Sequence, residues 1–112
     1  MDPSDDAARV CLVTAPDEET AKRIARALVE RRLVACVNIV PGLTSIYHWE
    51  GALQEDSEVL LICKTIVARL EAIEAALREL HPYDVFEFVA LLPDHVEASY
   101  LDWMRVEMRP VN

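Results

Sequence analysis

Strand-length apolar runs and amphipathic helical stretches follow one another in the order β-α-β-β-β-α-β-α. With the middle hairpin counted as one extended unit, this order predicts an α+β fold: the split β-α-β pattern of a ferredoxin-like sandwich, with a further helix at its C-terminus. Length and composition agree with it. The 112 residues suffice for one domain and not for two, and 53% are apolar, enough for a core without disulfides or a structural metal. The domain is placed at residues 9–108. Residues 1–8, Met-Asp-Pro-Ser-Asp-Asp-Ala-Ala, read as a flexible acidic leader without the apolar segment of a secretory signal, which places the chain in the cytoplasm.

The first strand signal is 10–14, stopped by Pro16 and followed by the acidic residues 17–19 that suit a helix N-terminus. Ala21, Ile24, Ala25, Leu28 and Val29 then recur at helical spacing, with Glu18, Lys22, Arg26 and Glu30 opposite them, and the helix closes on Arg31-Arg32. Residues 33–40 form a second strand with one polar member, and Pro41-Gly42 bends the chain. Residues 43–49 are β-branched and aromatic; Glu50-Gly51 turns them into a return strand at 58–65. A second helix carries Leu70, Ile73, Leu77 and Leu80 on one stripe and an i,i+4 pair, Glu74 and Arg78, on its wet side; His81-Pro82 ends it. The last strand spans 85–92, and a third helix runs from about Val96 to Met108.

Half-buried antiparallel strands alternate apolar and polar residues. The strands at 10–13, 33–40, 59–63 and 85–92 are instead apolar on both faces. Two main helices cover one face of such a sheet, and soluble monomers rarely expose a large apolar patch. The second face is therefore expected to be buried against other subunits, in a number that periodicity does not supply.

Charge narrows the function. A net charge of −9, with only two lysines, has the wrong sign for binding nucleic acid or a membrane surface and serves solubility. Apolar stretches of about five to eight residues fall far short of a bilayer span. Cys11, Cys36 and Cys63 lie in apolar runs, form no Cys-x-x-Cys pair and read as core residues, with metal and redox roles as the alternatives. With glycine only at positions 42 and 51, a glycine-lined phosphate cradle is excluded.

The segment 81–87 concentrates candidate chemistry where a helix becomes a strand. His81, at a helix C-terminus, is favoured as the cation by the dipole and is a candidate proton donor or metal ligand; the plainer reading is a cap on the last helix carbonyls. Glu87 interrupts an apolar strand, and a buried lone carboxylate is costly, so a cation partner is expected. Lys64, at the end of another apolar strand, is the leading candidate, holding either a subunit seam or a pocket. Asn38 is expected to bond to backbone. Tyr47 and Trp49, like Tyr100 and Trp103, read as aromatic ladders that pack on neighbours.

Residues 13–17, the long block 35–51, residues 58–65, His81-Pro82-Tyr83 and residues 100–103 together resemble the CutA (divalent-cation-tolerance) family, over roughly residues 9 to 108. The resemblance implies a ferredoxin-like subunit in a stable homotrimer of the kind formed by PII signalling proteins, with no enzymatic activity and a role in metal response or small-molecule signalling. It implies inter-subunit clefts lined by Lys64, His81, Tyr83, Glu87 and Trp103, and copper(II) or another divalent cation as ligand, with His81 as the metal-binding residue. The family's copper ligands are a first-strand cysteine and a His-His pair; Val13 and Leu80 stand at two of those positions here, and Phe86 replaces the usual proline before Glu87. A second reading makes His81 an acid/base oriented by Glu87 or Asp84; a third makes the trimer a scaffold.

Overall fold

The computed structural model describes residues 3–110. Strands β1 (Ala8–Ala15), β2 (Cys36–Trp49), β3 (Ala52–Ile66) and β4 (Val89–Leu91) form one sheet in the order β2-β3-β1-β4, every neighbouring pair antiparallel. Since β1 and β2 both run against β3, they are parallel to each other, and helix α1 (Glu18–Glu30) is the crossover between them. Helix α2 (Leu70–Leu80) links β3 to β4 in the same way, and helix α3 (Ala98–Glu107) follows. This is the expected split β-α-β arrangement. Of the expected leader 1–8, residues 1 and 2 lie outside the described residues; a 3-10 turn covers Pro3–Asp6, and the Asp6 carbonyl accepts two hydrogen bonds from the Arg105 guanidinium.

Local chemistry explains the boundaries. Asp17 caps α1 by accepting the Thr20 N–H at 2.7 Å, which holds its carboxyl below the usual range. At the other end, Arg32 N–H reaches the Val29 carbonyl and Leu33 N–H that of Leu28, both at 3.0 Å, with Arg32 at φ 60°. That pair of bonds is a Schellman closure with arginine where glycine is usual. The closure takes the Leu33 N–H, and β2 begins at Cys36 and not at the expected 33. Pro41-Gly42 does not break the strand. It inserts one extra residue between the pairs Val40–Leu60 and Leu43–Glu58, a bulge, and β2 runs on to Trp49. Glu50 and Gly51, at φ 49° and 80°, then make the tight turn that matches strand twist.

The last strand is shorter than expected. Its register, Val10–Leu91 to Leu12–Val89, would next set Thr14 opposite Glu87. There the His81 ring takes the Thr14 carbonyl instead, at 2.8 Å, and residues 85–88 leave the ladder.

The sheet's two faces differ. On one, Cys11, Val13, Ala15, Val59, Leu61 and Cys63 are buried beneath Ala21, Ile24 and Leu28 of α1 and Ile73 and Leu77 of α2. Burial pushes the Cys11 and Cys63 thiols up to about 11 and about 12, so both stay protonated in the core. On the other face, α3 covers one end, where Met104 and Met108 pack on Ala35 and Ile66. The rest is open, with Val40, Val89 and Leu91 each 39–46% exposed. None of the helices among the described residues is long and apolar enough to cross a membrane.

Candidate functional site

β1 reaches only as far as Val59 of β3, so residues 43–58 stand beyond it as a two-stranded arm. The bulge decides which way the arm's side chains point. By register, Ser45, Tyr47 and Trp49 share a face with Asp56 and Glu58, and that face continues the open side of the sheet. The segment 81–87 runs past the foot of the arm. Between them lies a cavity of about 680 Å³, lined by Thr14, Tyr47, Trp49, Glu58, Tyr83 and Glu87 among others.

His81 forms the floor of this region without entering it. It is buried, its Nε2–H donates to the Thr14 carbonyl at 2.8 Å, and its Nδ1 accepts the Tyr83 N–H at 3.1 Å. A carbonyl only accepts and an amide N–H only donates, so this pattern belongs to the neutral ring with its proton on Nε2. The cation expected from the helix dipole is thus replaced by a ring that pins segment 81–83 to β1. Phe86 stacks on this ring at 5.5 Å and lies 5.8 Å beneath the Arg78 guanidinium, which accounts for an aromatic residue at that position. Among the described residues neither ring nitrogen bonds a carboxylate, so the arrangement required of a His81 acid/base with Glu87 or Asp84 is not assembled within one chain. Both nitrogens are engaged, and Val13 and Leu80 bring no donor atoms, so copper ligation at His81 does not fit the site as it stands. Among the described residues no three His, Cys, Asp or Glu side chains converge as a metal cage.

Glu87 and Tyr83 do come together, with Glu58 between the strands as their common neighbour. The Tyr83 hydroxyl donates to Glu58 Oε2 at 3.4 Å, and burial followed by the Glu58 charge raises its phenol. Burial raises the Glu87 carboxyl above its usual range, and the like charge of Glu58 raises it further. Tyr47 donates to Asp56, a bond that pushes its phenol up to about 12.

The expected Lys64–Glu87 pair is not formed within the chain. Lys64 lies in the row of Val10, four residues along β1 from Thr14, which is about 13 Å of strand. Its ammonium donates to the Asn38 side-chain oxygen, so Asn38 answers a cation and not backbone. Trp103 sits on α3, its ring tilted against that of Tyr100 at 5.5 Å, and does not line the cavity. Thr14, Tyr47, Trp49 and Glu58 were not among the expected site residues. The signal was present in part: pairing counted back from the Glu50-Gly51 turn puts Tyr47 and Trp49 on the face of Gln54, Asp56 and Glu58, which β3 carries into the sheet, whereas along β2 the bulge hides that relation.

Comparison with known proteins places this geometry. Residues 9–107 match the family model described as CutA1 divalent ion tolerance protein. The chain is 53% identical over 96 residues to the divalent-cation tolerance protein CutA of Thermus thermophilus, covering 86% of this chain and 93% of that one. It is 50% identical over 93 residues to human protein CutA, covering 83% of this chain and 52% of the human protein, so it spans about half of that relative's length. Among solved structures, the Thermus thermophilus protein superposes with a TM-score of 0.87 at 51% identity, covering 89% and 97% of the two chains. CutA1 from Oryza sativa does so with a TM-score of 0.89 at 41% identity, covering 93% and 95%. The described sheet and helices are therefore those of the CutA fold, and the chain belongs to the CutA1 divalent ion tolerance family.

Proposed function

We propose that the chain works as a homotrimeric, non-enzymatic module of metal response or small-molecule signalling in the cytoplasm, binding its ligand in clefts completed between subunits. The observation that carries this reading is the open sheet face. Val10, Leu12, Leu60 and Ile62 continue into exposed Val40, Val89 and Leu91, an apolar surface that soluble monomers rarely leave uncovered. Lys64 with Asn38, and Trp103 at the rim, supply the polar and aromatic groups of a seam. Tyr83 and Glu87 face the cleft. Leu91→Asp places a charge on that surface, on the edge strand β4, while sparing the helix-covered core. Light scattering should report a trimer for the unmodified chain and a monomer for Leu91→Asp, with unchanged helix content by circular dichroism. A monomeric unmodified chain at micromolar concentration ends the reading.

Copper(II) is the finer expectation attached to it. Ligation at His81 requires loss of its bond to Thr14 or to Tyr83, so the carboxylates of the cleft are the more accessible donors. Calorimetric titration with copper(II) on the unmodified chain and on His81→Ala separates the two: indistinguishable curves remove His81 as a ligand.

A further inference from the structure

The cleft has a consistent chemical character that the family description does not mention. Glu58, Asp84 and Glu87 line it, and among the described residues of the same chain no lysine or arginine does. Its walls are aromatic, from Tyr47, Trp49 and Tyr83, and Ile46 and Val85 add apolar surface. The volume, about 680 Å³, matches that of pockets for small organic molecules and far exceeds what a bare ion fills. The phenols are already spent as donors to carboxylates, Tyr47 on Asp56 and Tyr83 on Glu58. This leaves carboxylate oxygens and aromatic faces for a ligand, and both attract positive charge. Ion pairs among the described residues join Arg31 to Glu79, Arg32 to Glu107 and Arg78 to Glu74; none reaches the cleft carboxylates.

From these groups we infer that the cleft binds an organic ammonium ion with an apolar body, its charge between Glu58 and Glu87 and its body against Trp49 and Tyr47. The inference rests on the proposed reading of the cleft as a ligand site and names the ligand's class. A metal ion would satisfy the carboxylates but would leave the aromatic walls unused, and three converging ligands are missing among the described residues. The raised Glu87 carboxyl agrees: burial first and the Glu58 charge second disfavour its ionised form, and a cation placed beside it offsets both.

The test uses the full chain and two probes of one shape, benzylammonium and benzyl alcohol. Calorimetry and tryptophan fluorescence should show saturable benzylammonium binding, with benzyl alcohol silent. Glu87→Gln and Glu58→Gln should each weaken the ammonium by about tenfold, the loss of one charged hydrogen-bond partner. Trp49→Phe should keep the heat and lose most of the fluorescence change. Equal binding of the alcohol, or binding unmoved by both glutamine variants, overturns the inference. So does a Lys64→Met variant that binds benzylammonium where the unmodified chain does not, since the cleft's cation is then Lys64 from a second copy. Copper(II) heat that disappears in Glu87→Gln, with no benzylammonium binding, sinks the organic cation while leaving the cleft a ligand site.

Discussion

The two faces of this sheet are cut from the same strands and do different work. In β3, Val59, Leu61 and Cys63 point into the helix-covered core, while Glu58, Leu60, Ile62 and Lys64 point the other way. The buried strand residues of the covered side are apolar apart from Thr65, and α1 and α2 close over them. The open side carries the residues with chemistry, Thr14, Asn38, Glu58, Lys64 and Glu87, set among apolar neighbours that nothing in one chain fully covers. The contrast teaches that alternation in these strands separates folding from function. One parity of residues is answered within the chain. The other is available to a second copy and to a ligand.

The largest test of that separation compares neighbouring parities. Leu61 is fully buried, so Leu61→Ala should cost about 3 kcal/mol through lost transfer energy and an unfilled cavity. Leu91 is 45% exposed in the single chain, and Leu91→Ala should cost much less when measured at low protein concentration. Urea denaturation at two concentrations sharpens the point. The Leu61 cost should be independent of concentration, whereas the Leu91 cost should grow with it, because a face covered only by another subunit is stabilised by mass action. Equal and concentration-independent costs would erase the distinction between the faces.

A smaller effect comes from the exception on the covered side. Thr65 is fully buried, and its hydroxyl donates to the Leu33 carbonyl at 2.7 Å, tying the end of β3 to the Schellman closure of α1. Thr65→Val keeps the shape and leaves that carbonyl without its partner, at a cost of about 1–2 kcal/mol. Thermal unfolding should register it, and Thr65→Ser should recover most of the loss.

What was legible in the sequence follows the same division. The stripes Ala21, Ile24, Ala25, Leu28 and Ile73, Leu77 are local periodicities, and the helices lie where those stripes put them. Two-sided strands announced the open face, and Val40, Val89 and Leu91 are exposed there. Features decided by a single distant contact were not legible. β4 is three residues long because His81, outside the strand, occupies the carbonyl of Thr14. Lys64 and Glu87 both interrupt apolar strands, which suggested a pair, yet strand pattern alone does not say how many rows apart two residues sit. The bulge at Pro41-Gly42 is the clearest case. One extra residue carries Tyr47 and Trp49 to the cleft side, and a proline-glycine pair reads equally well as a bend.

The smallest effect is a pH dependence, and its sign separates the two faces once more. Glu87 lies on the open side, where burial first and Glu58 second raise its carboxyl above the ordinary 4.5. In the unfolded chain this group ionises near its ordinary value, while in the fold it ionises only at higher pH. Below the ordinary value both states are protonated and Glu87 is neutral in its effect. As pH rises from there through the folded value, the unfolded chain loses its proton first, and a penalty on the fold grows in. Glu87→Gln removes the titration. It should therefore raise the melting temperature slightly at pH 7, by an amount that shrinks to nothing near pH 4. Asp17 on α1 behaves in the opposite sense, because the Thr20 hydrogen bonds lower its carboxyl and their contribution is lost as pH falls. Melting curves of Glu87→Gln and Asp17→Asn at pH 4 and pH 7 should thus diverge in opposite directions from the unmodified chain. A Glu87→Gln variant less stable at pH 7 would show the carboxylate to be paired with a cation in the assembled protein, and would move Glu87 from the ligand cleft to the subunit seam.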